Sequence, residues 1–152
     1  MTPQQIALVQ ASFGKVIPIA GLAADLFYDR LFATAPEVRP LFPADMSEQK
    51  GKLIKTLAVA IQNLHQIDSI LSVVHALGAR HVAYGVTDRH YDLVGAALLH
   101  TLEQGLGPEW TDDLALAWGE TYDLVAGAMK EGARLASETA APQTREHHRH
   151  FG

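Results

Sequence analysis

Apolar residues recur at helical spacing along nearly the whole chain, and nowhere do they alternate as in a strand. Ile6, Val9, Phe13 and Val16 form one stripe; Leu22, Leu26, Phe27, Leu31 and Phe32 form a second. Leu53, Leu57, Ile61 and Leu64 make a third, and Ile70, Val74, Leu77 and His81 a fourth. Val94, Leu98 and Leu102 follow, and Leu114, Trp118, Tyr122, Val125 and Met129 line the last. Such a stripe makes one face of a helix apolar, and that face must be buried against other helices. The pattern predicts an all-α fold of six to seven helices, one of them very short.

The breaks between stripes carry the chemistry of helix ends. Thr2-Pro3-Gln4-Gln5 reads as a capping box with proline in the first turn. Thr34-Ala35-Pro36-Glu37 reads as another, opening a short turn in which Leu41-Phe42 is pinned between Pro40 and Pro43. Asp45 with Glu48, Asp68-Ser69, Thr87 and Thr111-Asp112-Asp113 mark the later helix starts. Pro18 with Gly21, Gly85, and Gly105 to Pro108 mark stops. From Ser137 the periodicity is lost, and Thr, Ala, Pro, Arg and His dominate. The expected organisation is one domain over residues 1–136 and a flexible tail over 137–152. No internal repeat is present.

Composition removes several classes of function. There is no cysteine, so disulfides, thiolate catalysis, iron–sulfur clusters and cysteine zinc sites are excluded. Twelve Lys and Arg against seventeen Asp and Glu give a net charge of −5, which suits neither nucleic acid nor an anionic membrane. The N-terminus lacks the basic start and apolar run of a signal peptide, and no uncharged apolar run approaches ~18 residues, so a cytoplasmic protein with no membrane span is expected. HExxH, paired-carboxylate, glycine-rich phosphate and Gly-x-Ser-x-Gly motifs are all missing, which disfavours a conventional hydrolase, kinase or nicotinamide enzyme.

The eight histidines are then the first candidates for chemistry. His65 lies at a helix end, where a cation suits the dipole. His75 and His100 sit beside apolar stripes, and His90 is in the first turn of a helix. His147, His148 and His150 fall in the expected tail, where a divalent metal would bind adventitiously. His81 differs, because it continues an apolar stripe by one more turn and so points inward. Two readings stand: a core histidine bonded to a backbone carbonyl, or a ligand to a metal or haem iron. Tyr28 lies mid-helix in an apolar segment, and its hydroxyl needs a partner, either a carbonyl or a polar ligand. Phe42 is an aromatic ring held at a fixed place by its prolines.

Three segments in this order resemble the bacterial single-domain haemoglobins: LFYDRLFATAPEVRPLF from Leu26, RHVAYGVTDRHYDLVGAALL from Arg80, and TDDLALAWGETYDLVAGAM from Thr111. They are similar also to the globin domain of flavohaemoglobins and to the neuroglobin-like globins of bacteria. The resemblance implies a globin fold around a haem b pocket. It makes His81 the proximal ligand of haem iron, Phe42 the ring packed on the haem face, and Tyr28 the distal donor to bound oxygen. Gln49 takes the distal position on the next helix, and Leu53 crowds the ligand site. Leu57, Leu77, Val86, Tyr91, Val94 and Leu98 complete the cofactor pocket. Lys52 and Arg80 are cations placed either for a haem propionate or for solvent.

One departure is visible. In flavohaemoglobins a tyrosine and a glutamate form a network with the proximal histidine. Tyr91 is present, but counting from Trp118 puts Ala133 at the glutamate's place, and Glu131 should face elsewhere. The imidazole should then donate to a backbone carbonyl, with a weaker push on the iron. The function implied is reversible binding of oxygen, carbon monoxide and nitric oxide. One alternative is a nitric oxide dioxygenase using a separate reductase, since the 152 residues hold no flavin or nicotinamide module. Another is a gas or redox sensor acting through a partner in trans. By the same resemblance the protein is a monomer or a weak homodimer.

Overall fold

The computed structural model describes residues 1–83 and 85–140. Among them are six α-helices: α1 (Pro3–Val16), α2 (Ala20–Thr34), α3 (Ser47–Gln62), α4 (Leu71–Ala83), α5 (Asp88–Leu106) and α6 (Asp112–Ala140). Short 3-10 turns at Ile17–Ile19, Pro36–Leu41, Leu64–Ile70 and Gly107–Glu109 connect them, and no strand occurs among the described residues. The very short helix expected after Thr34 is the 3-10 turn Pro36–Leu41, since Pro40 inside it removes a donor that an α-helix needs.

Several starts form as expected. Gln5 N donates to Thr2 Oγ1 at 3.1 Å, and Thr2 N donates to Gln5 Oε1 at 2.9 Å. Thr87 N donates to His90 Nδ1 at 3.0 Å, so His90 serves as the capping partner of α5. Leu114 N donates to Thr111 Oγ1 at 3.1 Å at the start of α6.

Four local expectations are corrected. Thr34 does not cap the next turn; it is still in α2, and its hydroxyl donates back to Arg30 O at 2.9 Å. Asp68-Ser69 lies inside the 3-10 turn, Ser69 Oγ donating to Gln66 O at 2.8 Å, and α4 begins only at Leu71. Leu22 is 58% exposed, because Ala23, Ala24, Phe27, Tyr28 and Leu31 set the buried face of α2. The last helix runs past residue 136 to Ala140, since an existing helix propagates at little cost without an apolar face. The rest of the expected tail, with His147, His148 and His150, lies outside the described residues.

Pro3–Thr34, α1 through α2, is apolar and long enough by composition to cross a bilayer, contrary to expectation. Here Val9, Phe13, Val16, Phe27, Tyr28 and Leu31 of that stretch are buried in the core.

The core has two clusters. The larger joins α1, α2, α5 and α6 around Trp118, which is 1% exposed and lies 6.3 Å ring to ring from Phe13. Trp118 Nε1 donates to Ser12 Oγ at 2.9 Å, and Ser12 Oγ donates to Val9 O at 3.0 Å, so the buried polar atoms are satisfied in series. The smaller holds Val74, Tyr91, Ala126 and Met129, with Ile70, Leu77 and Val86 against it. Tyr122 adjoins both clusters. Tyr122 Oη donates to Tyr91 O at 2.6 Å and so ties α6 to α5.

Candidate functional site

The expected site residues divide between these two clusters. Tyr28 comes from the middle of α2 and is 3% exposed. Gln49, in the first turn of α3, donates from Nε2 to Tyr28 Oη at 3.2 Å. Burial pushes the Tyr28 phenol above its ordinary pKa, and the bond from Gln49 offsets part of that rise. Beside this pair Lys50 Nζ lies 2.7 Å from Asp25 Oδ1, holding the start of α3 on α2.

Phe42 follows the 3-10 turn and meets Tyr28 edge to face at 5.5 Å. Phe32 completes the group, 5.5 Å from Phe42 and 5.8 Å from Tyr28. Leu53, Leu57 and Val94 are partly buried against the same cluster, and Leu98 is buried within it. An apolar cavity lies behind this side, lined by Phe27, Leu53, Leu57, Leu98 and Trp118 among others.

His81 is on the last turns of α4. Its Nδ1 lies 2.8 Å from Leu77 O, one turn back. Burial holds the ring below the ordinary histidine pKa and Arg80 adds to this, against the raising effect of the Leu77 bond. The ring stacks on Tyr91 with centroids 6.4 Å apart. The Tyr91 hydroxyl is buried and has no hydrogen-bond partner among the described residues. Its ring instead meets Lys130 Nζ, 5.4 Å from the centroid. Glu131 turns away to Arg134, whose Nε donates to Glu131 Oε1 at 3.1 Å. Among the described residues no carboxylate is therefore bonded to the Tyr91 hydroxyl. Leu77 and Val86 are partly buried against the smaller cluster. Lys52 pairs with Glu48 at 3.6 Å, both well exposed, and Arg80 is exposed.

Sequence reasoning missed Arg39. Its guanidinium donates to Phe42 O at 3.3 Å, Pro43 O at 3.0 Å and Ala44 O at 3.2 Å. The same group lies over the Phe32 ring, 5.0 Å from the centroid. It satisfies three carbonyls of a segment without helix bonds of its own. No local pattern marks such a residue.

The globin family profile matches residues 25–129. The chain belongs to the globin family. An anaerobic nitrite reductase of Casuarina glauca is 29% identical over 144 residues, covering 85% of this chain and 90% of that one. A flavohemoprotein of Bacillus subtilis is 34% identical over 108 residues, covering 68% of this chain and 27% of that longer protein. Among solved structures, a bacterial globin from Campylobacter jejuni superposes with a TM-score of 0.82 at 25% identity, covering 90% of this chain and 99% of that one. An engineered carbene transferase, whose parent is regarded as a nitric oxide dioxygenase of Rhodothermus marinus, superposes at 0.83 with 26% identity, covering 93% and 99%.

As a globin the chain is a haem protein that binds small gaseous ligands such as oxygen and nitric oxide. The donor set here fits that group. A proton on His81 Nδ1, given to Leu77 O, leaves the lone pair of the neutral ring on Nε2, the form a metal takes. The fit extends to the walls, because Phe42, Leu53, Leu57, Leu77, Val86 and Val94 are apolar yet only partly buried.

Proposed function

We propose that His81 is the protein ligand of haem b, and that Tyr28 and Gln49 are the polar half of a pocket for oxygen, carbon monoxide and nitric oxide. Haem supplies the ferrous iron at which a diatomic gas binds reversibly. The observation that carries the reading is the 2.8 Å contact of His81 Nδ1 with Leu77 O. It sets both the tautomer and the plane of the ring.

Each wall has a part. Phe42, Leu53, Leu57, Val94 and Leu98 on one side, and Leu77, Val86 and Tyr91 on the other, offer apolar surface to a porphyrin and exclude water. Gln49 donates to the Tyr28 oxygen, which leaves the phenol proton for another acceptor. A ligand carrying partial negative charge is that acceptor. The expected result is slow release of oxygen.

The test is the absorption spectrum of the purified protein as ferric, reduced, and reduced with carbon monoxide, beside His81→Ala. The wild type should show histidine-ligated haem, and the variant should lose that signature unless imidazole is added. An unchanged spectrum in the variant would overturn the ligand assignment.

The Tyr28–Gln49 pair favours one further reading, a nitric oxide dioxygenase served by a separate reductase. The parent of the Rhodothermus marinus structure is regarded as such an enzyme. Against a strong version of it stands Tyr91, whose hydroxyl has no carboxylate partner among the described residues; a proximal histidine without such support would be a weaker donor. Sustained nitric oxide consumption with a reductase would support turnover; a single stoichiometric burst would mark a carrier.

A further inference from the structure

Helices α4 and α6 touch backbone to backbone. A Cβ placed on Gly78 would lie 1.9 Å from Met129 O and 2.6 Å from Met129 C. One placed on Gly132 would lie 2.3 Å from both the Cα and the carbonyl oxygen of His75. The contact is reciprocal: each glycine presses the residue three positions before the other glycine. All the opposing atoms are main chain, so neither site can admit a methyl group unless a helix moves. Glycine inside a helix destabilises it relative to alanine. Elsewhere in α6, Gly119 and Gly127 have nothing within 4 Å of such a Cβ, and Gly95 of α5 meets only the Tyr122 side chain, so among the described glycines this close an approach of main chain is particular to this crossing.

The crossing lies one turn before His81. Leu77, whose carbonyl receives the His81 ring, is the chain neighbour of Gly78. The plane and height of the imidazole are therefore referred to the place where α4 rests on α6. We infer that Gly78 and Gly132 are positioning residues that set where His81 meets the haem iron, so that the long C-terminal helix, through this contact, tunes the proximal bond. This rests on the reading of His81 as the iron ligand.

The experiment uses the full chain loaded with haem and reads the ferrous iron–histidine stretching band by resonance Raman. Gly78→Ala and Gly132→Ala should each shift that band and change the carbon monoxide association rate several-fold. Gly127→Ala, in open space on the same helix, should leave both unchanged. The same substitutions are then made in His81→Gly supplied with imidazole. There the ligand is no longer tied to α4, and the band should not respond to Gly78→Ala. A merely structural role for the glycine would still move it.

Wild-type frequencies in both glycine variants would overturn the inference while leaving the histidine ligand intact. Absence of any iron–histidine band in the wild type would instead overturn the ligand reading itself, and this inference with it. If the alanine variants do not fold, amide hydrogen exchange of the wild-type holoprotein decides. Amides of α4 around Gly78 should open with the same free energy as those of α6 around Gly132, and clearly weaker protection of α4 would overturn the proposal.

Discussion

Gln49 Nε2 donates to Tyr28 Oη at 3.2 Å, joining two residues 21 positions apart in the chain. The pair turns a buried phenol into an oriented donor. Both partners are neutral, so the pair itself offers polarity without fixed charge. That suits a small ligand whose charge appears only on binding.

Tyr28→Phe removes the donor with little change of volume. A charge-assisted hydrogen bond contributes ~1.5–3 kcal/mol. Oxygen dissociation should therefore accelerate about ten- to hundred-fold. Stopped-flow displacement of oxygen measures this directly, and an unchanged rate would remove Tyr28 from ligand binding.

Arg39→Met should loosen the Phe42 segment, because three carbonyls lose their donor and the Phe32 ring its cation. We expect the apoprotein to lose about 1–2 kcal/mol of stability. The carbon monoxide stretching band of the holoprotein should broaden or split as Phe42 and Tyr28 sample more positions. A single sharp band at the wild-type frequency would show that Phe42 is held by packing alone.

Ser12→Ala strands the indole N–H of Trp118, which is 1% exposed. A buried donor left without a partner costs about 1–3 kcal/mol. Urea denaturation of the apoprotein should show this as a lower midpoint at unchanged slope. Loss of less than about 0.5 kcal/mol would mean that water reaches the indole.

Tyr28, Tyr91 and Tyr122 all have pKa values raised, chiefly by burial. Each keeps its proton in the fold at a pH where the unfolded chain has lost it. The stability they contribute is thus complete below pH 10 and declines as pH rises through the folded values. In an absorbance titration of the apoprotein these three phenols should ionise late, together with loss of helix. Early ionisation with the helices intact would contradict their burial. Gln49→Leu should raise the Tyr28 value further, since Gln49 is what lowers it.

Much of the fold is legible in the sequence. The stripes through Val9 and Phe13, Val74 and Leu77, and Leu114 and Trp118 are local regularities of period 3.6, and each becomes a buried helix face. Where reading failed, the local signal was ambiguous. Thr34 has the composition of a cap, but a threonine at the end of one helix can as well bond back into it. Leu22 is as apolar as Leu26, and only the packing of Ala23 and Ala24 decides which leucine turns outward.

The site is legible in a different sense. His81 stands out by continuing an apolar stripe, but a histidine so placed suits a carbonyl as well as a metal. In the structure its Nδ1 meets the Leu77 carbonyl, the first of those partners, and that contact leaves Nε2 as the nitrogen a metal would take. Arg39 gave no signal, since gripping three carbonyls depends on a chain bend rather than on spacing. Gly78 and Gly132 were not singled out by the sequence either, since a glycine inside a helix does not say what approaches it.

By itself the amino-acid order determined which segments are helical and which faces are apolar, and it named the side chains that are candidates for chemistry. These follow from local propensity and periodicity, which act within a few residues. Tertiary structure alone decided that Gln49 meets Tyr28, that the Tyr122 hydroxyl reaches the Tyr91 carbonyl, and that α4 rests on the bare backbone of α6. Those outcomes depend on contacts between residues far apart in the chain, formed only when whole helices settle to atomic fit.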